Sequence, residues 1–222
     1  PFDFGGAGLY GVSLLAVMYG FSSLPAAQGM GLLALGVAGG VAFVWWEGRT
    51  ASPVLDIRIF KNNAVFTFSN LAALINYSAT SASGFLLSLY LQQIKGLPPQ
   101  SAGLIMMAQP LVQALFSPLA GRLSDTIEPR LLASLGMGLA ATGLILFTFL
   151  SEQTPIAYVL FVLMLLGLGF ALFSSPNTNA VMSAVQKRFY GGASATLSTM
   201  RVVGQTLSIG IAVLVFAVYM GR

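Results

Sequence analysis

Long stretches of this chain carry no charge, and that limits the solvent it can fold in. From Phe4 to Trp46 there is no Asp, Glu, Lys or Arg. A bilayer-crossing helix needs about 20 mostly apolar residues. This run is therefore long enough for two, and Ser22-Ser23-Leu24-Pro25 supplies the break between them. Further spans run over Asn62–Ile94, Gly96–Gly121, Leu131–Ser151, Gln153–Gln186 and Phe189–Gly221, the last interrupted only by Arg201. Barrel strands fit poorly, because these runs do not alternate and are roughly two to three times too long. The expected fold is all-α, a polytopic membrane helical bundle of about seven transmembrane helices.

Composition closes off the alternatives. Charged residues make up 7% of the chain, against roughly 25% in a soluble domain. That excludes a soluble enzyme and a disordered segment. The net charge of +4 comes from Lys and Arg scattered between apolar runs. They form no basic patch, so nucleic acid is not an expected partner. The chain has no Cys and no His, so no disulfide framework, no thiolate or imidazole metal site and no Cys or His nucleophile is expected. No metal or cofactor is anticipated. No basic segment with a small-residue cleavage site precedes the first span, so no signal peptide is expected either.

The Lys/Arg bias predicts the topology. Arg49, Arg58, Lys61, Arg122, Arg130, Lys187 and Arg188 fall on one side, and only Lys95 and Arg222 on the other. The richer side is expected to face the cytoplasm, with the N-terminus inside and the C-terminus outside, in the cell (cytoplasmic) membrane. Trp45 and Trp46 end the second span where an aromatic belt would sit. The best boundary lies at a charged stretch. It gives an extra transmembrane helix pair over 1–47, a cytoplasmic amphipathic linker over 48–62 and a C-terminal bundle over 63–222.

Polar groups inside a membrane are costly unless they face protein or water. At helical spacing Asn70, Tyr77, Ser81, Gly84 and Ser88 form one stripe. Ala102, Met106, Gln109 and Gln113 form a second, and Ser194, Ser198, Arg201, Gln205, Ser208 and Ala212 a third. Asn177 and Asn179 follow Pro176, which removes a backbone donor. For the Ser and Gly positions, close helix packing explains the pattern as well as a pathway does. Gln109, Gln113, Asn177 and Asn179 are bulkier and suit a water-filled path. Gly36 and Gly40, spaced four apart, suit a close helix contact. Arg201 lies roughly 16 Å into its helix. It is read either as a side chain snorkelling to helix-end carbonyls or as a gate or substrate contact. Asp3, Glu47, Asp56, Asp125, Glu128 and Glu152 all lie at span ends or in loops, so no acid sits at depth. Paired intramembrane carboxylates and a nucleophile with a base are absent, so the chain is not expected to be an enzyme.

After the fourth span comes Gly121-Arg122-Leu-Ser-Asp125-Thr-Ile-Glu-Pro-Arg130. It resembles the loop signature of the major facilitator superfamily and departs from it where Glu128 replaces the usual Gly. Gly191-Gly-Ala-Ser-Ala-Thr-Leu-Ser-Thr-Met-Arg201-Val-Val-Gly204-Gln205 is similar to the penultimate helix of the fourteen-helix multidrug:proton antiporters of that superfamily. Gly167-Leu-Gly169 with Ser175-Pro176-Asn177 is similar to the helix before it. Pro53-Val-Leu-Asp-Ile-Arg-Ile-Phe60 is similar to the linker ahead of their C-terminal bundle.

The resemblance implies a C-terminal part: an inserted helix pair, then five helices of the last bundle, without its sixth helix and without the N-terminal bundle. It implies efflux of multidrug or amphipathic small molecules by alternating access, driven by protons through an acid outside this chain. Asn70, Tyr77, Gln109, Gln113, Asn177, Asn179, Arg201 and Gln205 would line the substrate cavity. Gly121, Arg122, Asp125 and Arg130 would form the gating loop. The implied partners are the lipid bilayer, a small amphipathic substrate, and a missing N-terminal bundle or a homodimer partner. The competing reading is a non-transporting membrane binding or regulatory module, or a half-transporter that works only as a homodimer.

Overall fold

The structure, a computed structural model, describes residues 3–24, 26–50, 60 and 63–220. Among the described residues eight α-helices follow one another: α1 (Phe4–Ser22), α2 (Ala27–Glu47), α3 (Ala64–Leu89), α4 (Pro99–Met106), α5 (Ala108–Leu123), α6 (Pro129–Phe147), α7 (Ile156–Ser183) and α8 (Tyr190–Met220). No strand occurs among the described residues. The chain is an all-α polytopic membrane bundle. α4 and α5 form one span, so seven long helices result. Six of the seven are long and apolar enough to cross a membrane. The exception, α3, is about 39 Å long but carries Asn70, Asn76, Tyr77 and several hydroxyl residues. The expected linker lies mostly at residues 51–59, 61 and 62, outside the described residues.

The chain divides into two compact units, residues 1–79 with 184–222, and residues 80–183. The division falls inside α3, whereas the boundary expected from sequence lay at the linker.

In the first unit α1 and α2 form a tight antiparallel hairpin. A Cβ on Gly20 would lie 2.8 Å from the Leu33 amide, and one on Gly36 2.7 Å from the Val17 amide. Gly40, expected as a contact, faces open space, and Gly29 and Gly39 take the contact with Gly36. The hairpin is closed at its charged end. Asp3 caps α1 by accepting from the Gly6 amide at 2.8 Å, and its other oxygen accepts from the Trp46 indole at 2.9 Å. The Gly6 amide holds the Asp3 carboxyl below its ordinary value; partial desolvation opposes this and the Trp46 bond adds to it. A depressed carboxylate stabilises the fold above its unfolded value, and that stability is lost as pH falls through the lower, folded value. Trp46 fluorescence, read in a Trp45→Phe background, is therefore expected to stay flat near neutrality and to change only below about pH 3.8. Asp3→Asn keeps a side-chain oxygen that can cap α1 and is expected to remove that acid transition.

In the second unit α7 is the centre. It is apolar all round, as a core helix should be, and Val159, Val162, Leu163, Leu166, Ala171, Phe173 and Val181 are buried. α6 packs antiparallel on it through glycines. A Cβ on Gly136 would lie 2.6 Å from both the Gly169 carbonyl oxygen and the Phe173 amide, and one on Gly143 2.7 Å from Leu166.

α3 ends in a π turn, Tyr90–Ile94. The Tyr90 hydroxyl donates to the Ser151 carbonyl at 2.7 Å, and the Lys95 ammonium donates to the Glu152 carbonyl. The chain then reverses at Gly96, whose φ of +65° suits a residue without Cβ. The span α4–α5 is broken at Met107 because Pro110 has no N–H for the Met106 carbonyl. The remaining ladder runs on, from the Met107 amide to Gly103 and from the Leu111 amide to Met107.

Candidate functional site

Each unit carries part of the predicted polar set. In the first, α3 and α8 meet at Gly204, where a Cβ would stand 2.7 Å from the Leu74 carbonyl and 3.0 Å from the Tyr77 Cβ. One turn before Gly204, the Arg201 guanidinium lies over the Tyr77 ring, 5.8 Å from its centroid. Arg201 and Tyr77 are thus brought together, both half-buried. A cation over an aromatic face gains about 0.5–2 kcal/mol, more when desolvated, which offsets part of the cost of an Arg at membrane depth. Asn70 is buried; its amide donates to the Phe66 carbonyl at 2.9 Å. Its Oδ1 is buried with no hydrogen-bond partner among the described residues.

The buried face of α3 runs Phe66, Asn70, Ala73, Asn76 and Thr80. Asn76 and Thr80 were not singled out from the sequence, although they lie at helical spacing from Asn70. On α8 the expected stripe splits. Ser208 and Ala212 are buried with Thr196 and Leu197, whereas Ser194, Ser198 and Gln205 are exposed.

In the second unit Gln109 and Gln113 share one half-buried face of α5. Gly167 brings α7 against it, and a Cβ there would sit 2.5 Å from the Gln109 carbonyl oxygen. Asn177 is buried on α7. Asn179 is exposed and reaches the loop, donating to the Ser124 hydroxyl at 2.8 Å. Ser124 donates in turn to the Gly121 carbonyl at 2.6 Å. Gly121 permits the close approach expected of it, since a Cβ would stand 3.0 Å from the Ser175 hydroxyl.

The loop Gly121–Arg130 is thereby tied to the end of α7. Arg122 and Asp125 are exposed. Arg130 pairs with Glu128 at 3.4 Å, so the residue that departs from the family pattern supplies the carboxylate. That pair is well exposed and worth at most about 1 kcal/mol.

Among the described residues no group of three or more His, Cys, Asp or Glu is placed to hold a metal. Glu47, read from the sequence only as a span-end acid, does end α2. It is 3% exposed, and its carboxylate converges with that of Asp3 over Gly6.

A family model described as Major Facilitator Superfamily matches residues 69–221. The chain belongs to the major facilitator superfamily. Facilitator relatives include the riboflavin transporter RibZ of Clostridioides difficile, 33% identical over 70% of this chain and 34% of its own length. The multidrug resistance protein Stp of Mycobacterium tuberculosis is 31% identical over 96% of this chain and 40% of its own. The lincomycin resistance protein LmrB of Listeria monocytogenes is 26% identical over 82% of this chain and 39% of its own. The chain spans less than half the length of these curated relatives. As a multi-pass facilitator chain it sits in a membrane.

Proposed function

We propose that this chain supplies one wall of an alternating-access pathway for the export of amphipathic small molecules. In this reading protons drive transport through an acid carried by a second bundle. The N-terminus and the Lys/Arg-rich loops face the cytoplasm, as the charge bias favours. The chain acts as a transporter component and not as an enzyme. The observation that carries the reading is the half-buried Arg201 set over Tyr77 where α3 and α8 meet at Gly204. It is a fixed cation at depth in a helix pair with no Asp or Glu in its middle. The names of Stp and LmrB support export of drug-like compounds. That of RibZ extends the cargo class to a vitamin.

Facilitators pair two bundles as parallel repeats about an axis along the membrane normal. A second copy of this chain, or an N-terminal bundle, would complete the pathway. Asn179, bonded to Ser124, acts with the loop Gly121–Arg130 as part of the gate; Asn70, Gln109, Gln113, Asn177 and Gln205 contribute polarity to the path.

The test is dye efflux from vesicles in which the pathway is complete. Gln109→Leu and Gln113→Leu are expected to lower efflux several-fold, about 1 kcal/mol of transition-state stabilisation each, with unchanged protein in the membrane. Unchanged efflux in both variants would refute the pathway role. Ligand binding with no flux in any variant or in the parent would favour the binding-module reading.

A further inference from the structure

α1 and α8 run side by side in register. The Tyr10 hydroxyl bonds the Thr199 hydroxyl. Further along, Gly210 lies against Phe21, where a Cβ would stand 2.6 Å from the ring. Both helices advance by the same number of residues between these contacts, so they are parallel. On the N-terminal side of α8 lies a cleft of about 220 Å³, lined by Tyr10, Phe43, Val44, Ala195, Thr196 and Met200 among others. Within its lining the Tyr10 and Phe43 rings lie tilted against each other, their centroids 5.1 Å apart. Small residues on α8, Gly192 and Ala195, keep it open.

The charges at its end have one sign available to a ligand. Arg188 precedes Gly192 by four residues, about 6 Å along the axis, and Arg49 follows Val44 by five, about 7.5 Å. Arg49, Lys187 and Arg188 are exposed. Each arginine is held against an aromatic neighbour, Arg49 over Trp45 at 3.9 Å and Arg188 over Phe189 at 4.7 Å. The acids nearby are occupied: Asp3 accepts from Gly6 and Trp46, and Glu47 is buried. An apolar slot between membrane helices that ends in exposed cations matches a lipid with a negative headgroup.

We propose that this cleft holds the headgroup-proximal half of one acyl chain of an anionic phospholipid, its phosphate resting on Arg49, Lys187 and Arg188. The lipid then acts as a wedge between the α1–α2 hairpin and α8. The site is separate from Arg201 and Tyr77 and does not depend on which cargo is moved. Its placement in the cytoplasmic leaflet rests on the orientation proposed above.

The experiment is native mass spectrometry of the purified chain, titrated with phosphatidylglycerol or phosphatidylcholine of the same acyl length. Each Lys or Arg near a headgroup favours the anion by roughly fivefold, so phosphatidylglycerol is expected to be retained at least about fivefold better. Gln replacement of Arg49, Lys187 and Arg188 together is expected to equalise the two lipids. Ala195→Phe, which fills the cleft from an exposed position, is expected to lose both. Equal retention of the two lipids by the parent chain would overturn the proposal, as would undiminished phosphatidylglycerol retention by Ala195→Phe. The leaflet is tested separately with a Gln186→Cys label, unambiguous because the chain has no other Cys. Labelling from the cytoplasmic side supports the placement, and labelling from outside overturns the orientation while leaving the lipid preference to stand or fall on its own result.

Discussion

Gly136→Leu is expected to remove most of the folded chain from the membrane, whereas Gly138→Leu, two residues along the same helix, is expected to be harmless. A Cβ on Gly136 would lie 2.6 Å from the backbone of α7, with no flexible side chain to move aside. A Cβ on Gly138 meets nothing within 4 Å. Both replacements gain similar helix propensity, so their difference isolates the contact. Between helices in lipid the attraction is largely close packing. Forcing α6 off α7 therefore removes the interaction that assembles the second unit. Overpacking alone costs about 1–3 kcal/mol, and separating the two backbones costs more, out of roughly 5–15 kcal/mol in total. Thermal unfolding in detergent, read by retention of a monodisperse species, should show a large loss for Gly136→Leu. Gly138→Leu should be at least as stable as the parent, gaining up to about 1 kcal/mol of helix propensity. Similar losses for both would mean that the helices do not meet at Gly136.

The second large effect is expected at Arg201. Arg201→Ala should lower substrate flux about tenfold or more, about 1.4 kcal/mol of transition-state stabilisation. The amount of protein in the membrane should hold, because removing an Arg from helix depth lowers the insertion cost. Arg201→Lys keeps the charge but loses the flat guanidinium that stacks on Tyr77, and should recover only part of the flux. Tyr77→Phe keeps an aromatic face and should be nearly silent, whereas Tyr77→Leu should resemble Arg201→Ala in direction. If Arg201 served only to snorkel toward the membrane surface, Lys would restore flux fully and Tyr77→Leu would leave it unchanged. Efflux rates with immunoblotted membrane content separate the two.

The helices were legible because absence of charge is a long-range signal. The break at Ser22–Pro25 and the ends set by Lys95, Arg122, Arg130 and Lys187 each mark a real helix boundary to within a few residues. The faces were less legible. Spacing places Tyr77, Ser81, Ser194 and Gln205 on stripes, but a stripe does not say which neighbour it meets. On α3 the buried face centres on Asn70, Ala73, Asn76 and Thr80, less than one residue's rotation from the expected line. The α2 glycines show the same limit. Gly36 touches α1, but Gly40 does not, because the crossing turns the contact toward Gly29 and Gly39. Backbone irregularities were legible only where proline causes them. Pro110 accounts for the break at Met107, while nothing in Tyr90–Ile94 marks a π turn. The Asn179–Ser124 bond pairs two residues far apart in sequence, and no local pattern announces it.

The central claim is that this chain is one wall of a pathway that a second bundle must complete. Single-vesicle efflux tests it most directly, with labelled chain reconstituted so dilutely that the copies in each vesicle can be counted. Vesicles holding one copy alone are predicted to be inert. Flux should appear only where a second copy, or an added N-terminal bundle from a facilitator relative, is present, and should vanish with Arg201→Ala. Proton-driven flux from vesicles that hold a single copy and nothing else would contradict the account.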